Sequence, residues 1–488
     1  MLTGESPPPP ISSVDAEEGP VWAITLRRWL MTVIILSALA SVFSDARVIT
    51  ACGAAAMATY LWLARKQFGF GTWVPVSMVI AGLAAALWQG VAPEVLWLGA
   101  ERMLFLGALV AMLGTLRSAA AIAPEVHRAG LYITGQPASR RYLAMTFGGH
   151  LFGILINFGG LALLLDLAKR SMSTPAAAEL PAEVQEVRLR RMTVAVIRGF
   201  SMISLWSPFG FATNAILISV PGLSYMSFGP IGFAMSFVFV AIGLFLDYLD
   251  GRRFRRLGLP RPKPPLRSWT GAAALVGHVI ALGLAVFAVH EVTPLSFQEG
   301  LICVVPCYAL LWAAAAGRAA PGGPLSGVAS AAGATWQRLS VLGPEVGVFA
   351  SAGFLPVVLL ALIPVDQLQG TVSGWALGPV PLALGISSLI AASAMVGINP
   401  IVMASVLGAT AAQLAVPGLS DTAIALAITG GWTAVIGFSP FITTLGISSA
   451  IVKRSTVTIG IKWNGVFCLT LLAVWSLMLA GLITFGVI

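Results

Sequence analysis

The sequence predicts an all-α polytopic membrane protein. It is built as an inverted repeat of five spans plus one re-entrant hairpin each, with an extra N-terminal span, about 11 spans and 2 hairpins in all. Three observations predict this. Of 488 residues, 58% are hydrophobic and only 10% charged, and mean hydropathy is +0.91, a composition of lipid-embedded helices rather than a soluble core. The 28 Lys and Arg residues gather in short segments between apolar runs. One stretch occurs twice, Gly199-Phe200-Ser201-Met202-Ile203-Ser204-Leu205-Trp206-Ser207-Pro208-Phe209 and Gly431-Trp432-Thr433-Ala434-Val435-Ile436-Gly437-Phe438-Ser439-Pro440-Phe441, 232 residues apart.

Residues 1–28 read as a disordered cytoplasmic tail, with Pro7 to Pro10 and an acidic cluster at Asp15, Glu17 and Glu18. Arg27-Arg28 precede the apolar run 29–43, which makes 29–47 the extra first span. Its Ala38-Leu39-Ala40 also fits a signal-peptide cleavage site, but the many runs that follow favour a span. Further apolar runs lie near 48–64, 72–92, 95–116, 142–167, 193–221, 229–249, 268–290, 299–316, 344–363, 377–417, 421–450 and 460–485. Most have the ~20 residues that a spanning helix needs. The run 377–417 is too long for one span and is interrupted at Gly397-Ile398-Asn399-Pro400. The run 142–167 is interrupted at Asn157-Phe158-Gly159-Gly160.

Charge then sets the topology. Loop 251–267 carries seven basic residues and belongs on the cytoplasmic side. Segments 117–141 and 168–192 are also basic, yet only the run 142–167 separates them. That run must therefore enter, turn and return on one side, and its glycines suit a tight turn of buried backbone. A second hairpin over 377–417 brings Lys453-Arg454 to the cytoplasmic side as well. All but three of the 28 basic residues, Arg47, Arg102 and Arg198, then share one side. The first repeat is 48–250 and the second 268–488, in opposite orientation. The N-terminus is expected in the cytoplasm and the C-terminus outside, in the inner membrane of the cell.

The repeated stretch is where chemistry is expected. Pro208 and Pro440 break helices in mid-membrane, and freed backbone must face protein, water or a ligand. Paired broken helices in two repeats point to a transporter binding site. Helix N-termini there favour anions, and free carbonyls favour Na⁺. Ser207, Thr213, Asn214, Ser439, Thr443 and Thr444 add hydroxyls and amides, while hydrogen bonding between packed helices is the alternative for each. Asn157, Gly159 and Asn399 are the hairpin-tip candidates. Glu101, Asp247 and Glu345 sit near span ends, so the site is read as having no carboxylate. His150, the only histidine in a hairpin, is either a proton-coupling group or a hydrogen-bonded packing residue. Glu101-Arg102 reads as a helix cap at the outer interface. Segment 318–343 reads as an amphipathic linker on the membrane surface.

This layout resembles the divalent anion/sodium symporter family of the ion transporter superfamily, which also holds arsenite and citrate permeases. In that family each hairpin tip carries Ser-Asn-Thr, and each broken helix carries a proline-containing loop, often followed by Asn. Asn157 and Asn399 match the tip asparagines, Pro208 and Pro440 the loop prolines, and Asn214 the first loop's Asn. The tips here lack the flanking Ser and Thr, and the second loop lacks its Asn. The resemblance implies a fixed scaffold joined by linkers to a moving domain.

Function classes narrow accordingly. The net charge of +9 lies in loops between spans, so it reads as topology and not as a nucleic-acid surface. Cys52, Cys303, Cys307 and Cys468 lie in apolar spans without metal-ligand neighbours, as packing residues. An intramembrane enzyme would need a nucleophile–base pair or a metal cluster in the spans, and the sequence has no intramembrane Asp pair and no His-x-x-x-His. The expected function is a secondary active transporter of a small anion, a carboxylate or inorganic oxyanion, coupled to Na⁺ or H⁺ and moving elevator-fashion. Its expected partners are the anionic substrate, the lipid bilayer and a second copy in a homodimer. No cofactor is expected beyond bound Na⁺. The alternative is a membrane subunit of a binding-protein-dependent transporter, or a non-transporting membrane protein.

Overall fold

A computed structural model describes residues 19–172, 180–252, 268–318, 320–363, 369–370, 374 and 377–488, and these form helices joined by short turns. The N-terminal tail up to residue 18 and loop residues 253–267 lie outside the described residues. The extra span is α1 (Val21–Ser41). The first repeat opens with α2 (Arg47–Ala64), α3 (Phe70–Trp88) and α4 (Pro93–Ile122), then the short α5 (Pro124–Thr134). Proline at the first position of α4 and α5 costs no hydrogen bond, because that N–H has no partner in the helix. The first hairpin is α6 (Ala138–Ile156) and α7 (Phe158–Arg170). The first broken helix is α8 (Ala182–Ser201), α9 (Ile203–Trp206) and α10 (Phe211–Ser219), and α11 (Tyr225–Gly251) closes the repeat. The second repeat runs α12 (Trp269–Val292), α13 (Phe297–Gly317), α14 (Gly323–Arg338) and α15 (Gly343–Leu362). Its hairpin is α16 (Pro379–Met395) and α17 (Pro400–Leu414), its broken helix α18 (Asp421–Ile436) and α19 (Thr443–Val452). A π turn at Thr458–Trp463 leads into α20 (Asn464–Thr484).

Ten helices among the described residues are long and apolar enough to cross a membrane, the first broken helix counted as one. The two parts of the second broken helix, α18 and α19, are apolar but each too short to be counted there. The expected all-α polytopic fold is therefore present. Two boundaries differ from expectation. The first span starts at Val21 rather than residue 29. The first broken helix begins at Ala182 rather than 193, so Arg188, Arg190 and Arg191 stand on a helix instead of in a loop.

Both hairpins are re-entrant. At the base of the first, Arg141 and Tyr142 of α6 line a pocket with Arg188, Arg191 and Met192 of α8, and Ser171 just after α7 lies 3.9 Å from the Met192 sulfur. Its two ends thus meet one end of α8. Its upper part meets the other end, where Gly153 abuts Ile203 and Phe200. In the second hairpin, a Cβ at Gly418, beyond α17, would lie 3.2 Å from Pro379 at the start of α16.

The repeats are inverted. The first broken helix starts at the base of the first hairpin, and its last residues Ser219 and Val220 pack against Gly408 of the second hairpin. The second broken helix runs the other way: Arg454, just beyond α19, forms an ion pair of 2.6 Å with Glu186 near the start of α8. Packing is reciprocal as a two-fold demands, with α10 on α17 and α19 on α7, and with α15 on α3 and α13 on α4. The linker segment 318–343 contains α14, which packs on α13 and α4.

The arrangement makes a direct prediction. In a background with the four cysteines replaced by serine, Ser139→Cys and Ala182→Cys should react with a membrane-impermeant maleimide from the same side, and Pro417→Cys from the other. Labelling of the first two from opposite sides would show that α6 and α7 cross the membrane.

Candidate functional site

The two hairpin tips and the two helix breaks enclose one cavity of about 310 Å³. Asn157 and Phe158 come from the first tip, and Asn399, Pro400 and Ile401 from the second. Ile203, Ser204 and Phe209–Phe211 come from the first break, and Trp432, Ile436 and Phe441–Thr444 from the second. The wall opposite is built from Gly69, Gly71 and Thr72 of α3, Leu113 and Leu116 of α4, and Pro344, Glu345, Val348 and Phe349 of α15.

Its electrostatics follow from chain direction. Helices α7, α10, α17 and α19 all begin at the cavity, and so do α3 and α15. Each contributes N–H groups without helical acceptors and the positive end of its dipole. No Lys or Arg among the described residues lines the cavity, and its one acidic side chain is Glu345 in the first turn of α15. The reading that no carboxylate reaches the site is thus corrected. α15 starts at the level of the cavity, so a residue at its end faces the site instead of the membrane surface. Seven aromatic side chains also line it: Phe158, Phe200, Phe209, Phe211, Phe349, Trp432 and Phe441.

The candidates separate into distinct environments. Asn157 joins α6 to α7 at φ 53°, ψ −133°, a conformation that non-glycine residues adopt only at a cost of about 1–3 kcal/mol. Asn399 caps α17, its Oδ1 accepting from the Ile401 N–H at 3.1 Å, which leaves its amide nitrogen without a protein partner among the described residues. Thr443 and Thr444 line the cavity at the first turn of α19. Gly159 does not line it. A Cβ there would lie 2.6 Å from Arg117 Nε, so glycine is what lets the Arg117 side chain pass behind the tip.

Ser207, Thr213 and Asn214 are fully buried beside the cavity rather than on its wall. Asn214 Nδ2 donates to the carbonyls of Pro208 at 3.0 Å and Gly210 at 2.9 Å, which closes the break on itself. Ser207 Oγ, Thr213 Oγ1 and Asn214 Oδ1 have no protein partner among the described residues. Buried polar atoms of this kind are normally satisfied, so three at one break point to bound water or an ion. Ser439 differs: its Oγ donates to the Ala394 carbonyl at 2.6 Å and accepts from the Phe441 N–H at 3.3 Å, tying the second break to the second hairpin.

His150 lies outside the cavity wall. Trp206 Nε1 donates to its Nε2 at 3.2 Å, so Nδ1 carries the proton and donates to the Gly199 carbonyl at 3.1 Å. This pattern holds a neutral ring, because a proton on Nε2 would expel the Trp206 donor. Arg102, of the expected cap, donates to the Ile218 carbonyl at 2.6 Å, one residue before α10 ends, where a cation suits the negative dipole end. The four cysteines are unpaired, and no group of three or more metal-ligating His, Cys, Asp or Glu side chains occurs among the described residues.

Aromatic lining was not legible in the sequence, since a Phe in an apolar run looks alike whether it meets lipid or a cavity. The signal that could have found Glu345 is Pro344 before it, which marks a helix start.

No family model and no curated protein matches the chain. Solved structures do. The YdaH transporter of Alcanivorax borkumensis, whose crystal structure is described as having an unusual topology, superposes with a TM-score of 0.52 at 20% identity over 78% of this chain and 85% of that one. MtrF of Neisseria gonorrhoeae, described within a class of antimetabolite efflux pumps, gives a TM-score of 0.49 at 13% identity over 86% and 97%. The likeness to YdaH is one of fold. The symporter family itself is matched by no model.

The hydrogen bonds of His150 predict its mutational behaviour. His150→Gln should lower the thermal midpoint, since each lost hydrogen bond is worth about 1 kcal/mol, and should leave the pH profile of uptake unchanged. A flattened profile would make His150 a proton carrier.

Proposed function

We propose that this chain is a secondary active transporter of a small carboxylate anion with an apolar body, coupled to Na⁺ or H⁺. The observation that carries the reading is the convergence of six helix N-termini on one cavity between two hairpin tips, with no cationic side chain among the described residues in its wall. Carboxylates are stabilised at helix N-termini. The seven aromatic side chains favour an organic anion over sulfate or arsenite, whose whole surface is polar. Hairpins and broken helices form the moving unit and slide against α3, α4 and α15, with the substrate at the sliding boundary.

Two coupling routes have residues behind them. The three unpartnered oxygens at the first break, two hydroxyls and an amide, are the hard donors that Na⁺ takes together with freed carbonyls. For H⁺, the titratable side chain on the cavity wall is Glu345. Thr213→Val keeps the shape and removes the oxygen; it should raise the Na⁺ concentration for half-maximal uptake. Glu345→Gln should instead flatten the pH profile. Unchanged coupling in both variants would exclude both routes.

The site itself is tested without disturbing the fold. Asn157→Gly removes the tip amide and also relieves the positive φ. Asn399→Ser keeps a capping oxygen for α17 and removes the amide donor. Each should weaken carboxylate affinity several-fold, about 1 kcal/mol, without lowering the thermal midpoint. A thermal-shift screen of aromatic and aliphatic carboxylates against sulfate and arsenite, with and without Na⁺, checks the class. Stabilisation by the inorganic anions alone would overturn the organic-anion assignment.

A further inference from the structure

A second site lies at the basic end of the bundle, where the base of the first hairpin meets α8 and α11. Arg141 and Tyr142 of α6, Arg188 and Arg191 of α8, and Asp247 of α11 surround a pocket of about 50 Å³. A single water needs roughly 10–15 Å³ of such space, so the pocket has room for one phosphate-sized group.

Its charges do not balance. Asp247 is taken by Arg191, which holds it in two parallel bonds of 2.7 Å, Nε to Oδ1 and Nη2 to Oδ2. The nearby carboxylates are also engaged: Asp250 pairs with Arg190 at 2.9 Å and Glu186 with Arg454 at 2.6 Å. Among the described residues Arg141 donates only to the Gln136 carbonyl, through Nε at 3.3 Å. Arg188 has no carboxylate partner among the described residues, and its buried Nε makes no hydrogen bond. Two half-buried guanidiniums therefore face one concavity whose own carboxylate, Asp247, is already bonded to Arg191. Burial, with Arg188 and Arg191 beside it, pushes Arg141 down to about 10, so it stays charged at neutral pH.

A positive-inside signal needs basic residues only in the right segment. It does not require them on two separate elements around a shared pocket whose own carboxylate, Asp247, is already paired. We infer that this pocket binds a phosphate group, either in the headgroup of an anionic lipid or on a small soluble phosphate ester. Arginine forks match phosphate oxygens two at a time, and basic pockets between membrane helices take lipid headgroups. A phosphate here would join the hairpin base to the first broken helix.

The test uses the full chain in zwitterionic detergent and phosphatidylcholine. Its thermal midpoint is followed on titration with phosphatidylglycerol, and separately with glycerol phosphate and inorganic phosphate at constant ionic strength. Stabilisation by phosphatidylglycerol alone identifies a lipid headgroup; stabilisation by glycerol phosphate as well identifies a soluble source. Either supports the site if Arg141→Gln with Arg188→Gln weakens the effect roughly 25-fold, from about fivefold for each charge, while Arg47→Gln at an exposed position elsewhere does not. Arg141→Lys with Arg188→Lys should retain most of it. If the glutamine pair fails to fold, Arg188→Gln alone should cost about fivefold. Equal response of wild type and glutamine variants, or no response to any phosphate, overturns the proposal.

Discussion

A peptide group in lipid must have its hydrogen bonds made inside the protein, and the rest of this structure depends on that constraint. Two hairpins that stop midway and two helices that break midway would each strand polar backbone in hydrocarbon. Together they do not, because each break lies against a hairpin. Ser439 Oγ reaches the carbonyl of Ala394 in the second hairpin, and Asn214 Nδ2 takes up the carbonyls of Pro208 and Gly210 at its own break. Both hairpin tips and both breaks contribute residues to one cavity. Site and fold thus have one cause: irregular backbone must be gathered in one place, and that place becomes a cavity bordered by helix ends.

Close approach of backbones makes the gathering possible. Gly199 of the first broken helix sits against the Thr146 carbonyl of the first hairpin, nearer than any Cβ could be. Its counterpart in the second repeat, Gly431, meets the Ser387 carbonyl of the second hairpin, where a Cβ would lie 2.6 Å away. These are the first residues of the stretch that occurs twice in the sequence. The repeat therefore encodes two things at once: a glycine that seats the broken helix on its hairpin, and, nine residues on, a proline that ends it. Small residues at helix contacts serve the same purpose in membrane proteins generally.

That pairing explains what could be read from sequence. The spans, both hairpins and the inverted order were legible because hydrophobic length and basic-residue sidedness are one-dimensional signals. Asn157, Asn399, Thr443 and Thr444 were legible as polar residues in apolar runs beside a turn. Side-chain partners were not. Ser439 and Ser207 occupy matching positions in the repeat, yet the first bonds the neighbouring hairpin and the second has no protein partner among the described residues. Nor could Arg198 be placed by topology alone: it is 4% exposed, with Nε donating to Asn464 Oδ1 at 2.8 Å, and the Asn464 amide donates on to the Gly437 carbonyl where α18 ends. Its binding partner is 266 residues away, at a helical irregularity that no local pattern announces.

The same geometry bears on how tightly an anion should be held. A guanidinium in the cavity wall would clamp a carboxylate bidentately and would itself be costly to bury in the empty site, by several kcal/mol. Helix N-termini carry no such penalty, because their N–H groups are fixed in place whether or not a ligand is bound. Each contributes about 0.3–1 kcal/mol, up to ~2 where partly buried, so the four that belong to the hairpins and broken helices together supply a few kcal/mol. That corresponds to affinities of roughly the millimolar to micromolar range. Transport needs a ligand that enters readily and also leaves. Arg117 fits this scheme. Its side chain runs behind Gly159 at the first tip rather than into the cavity, so it is not a contact that a bound ligand would have to break.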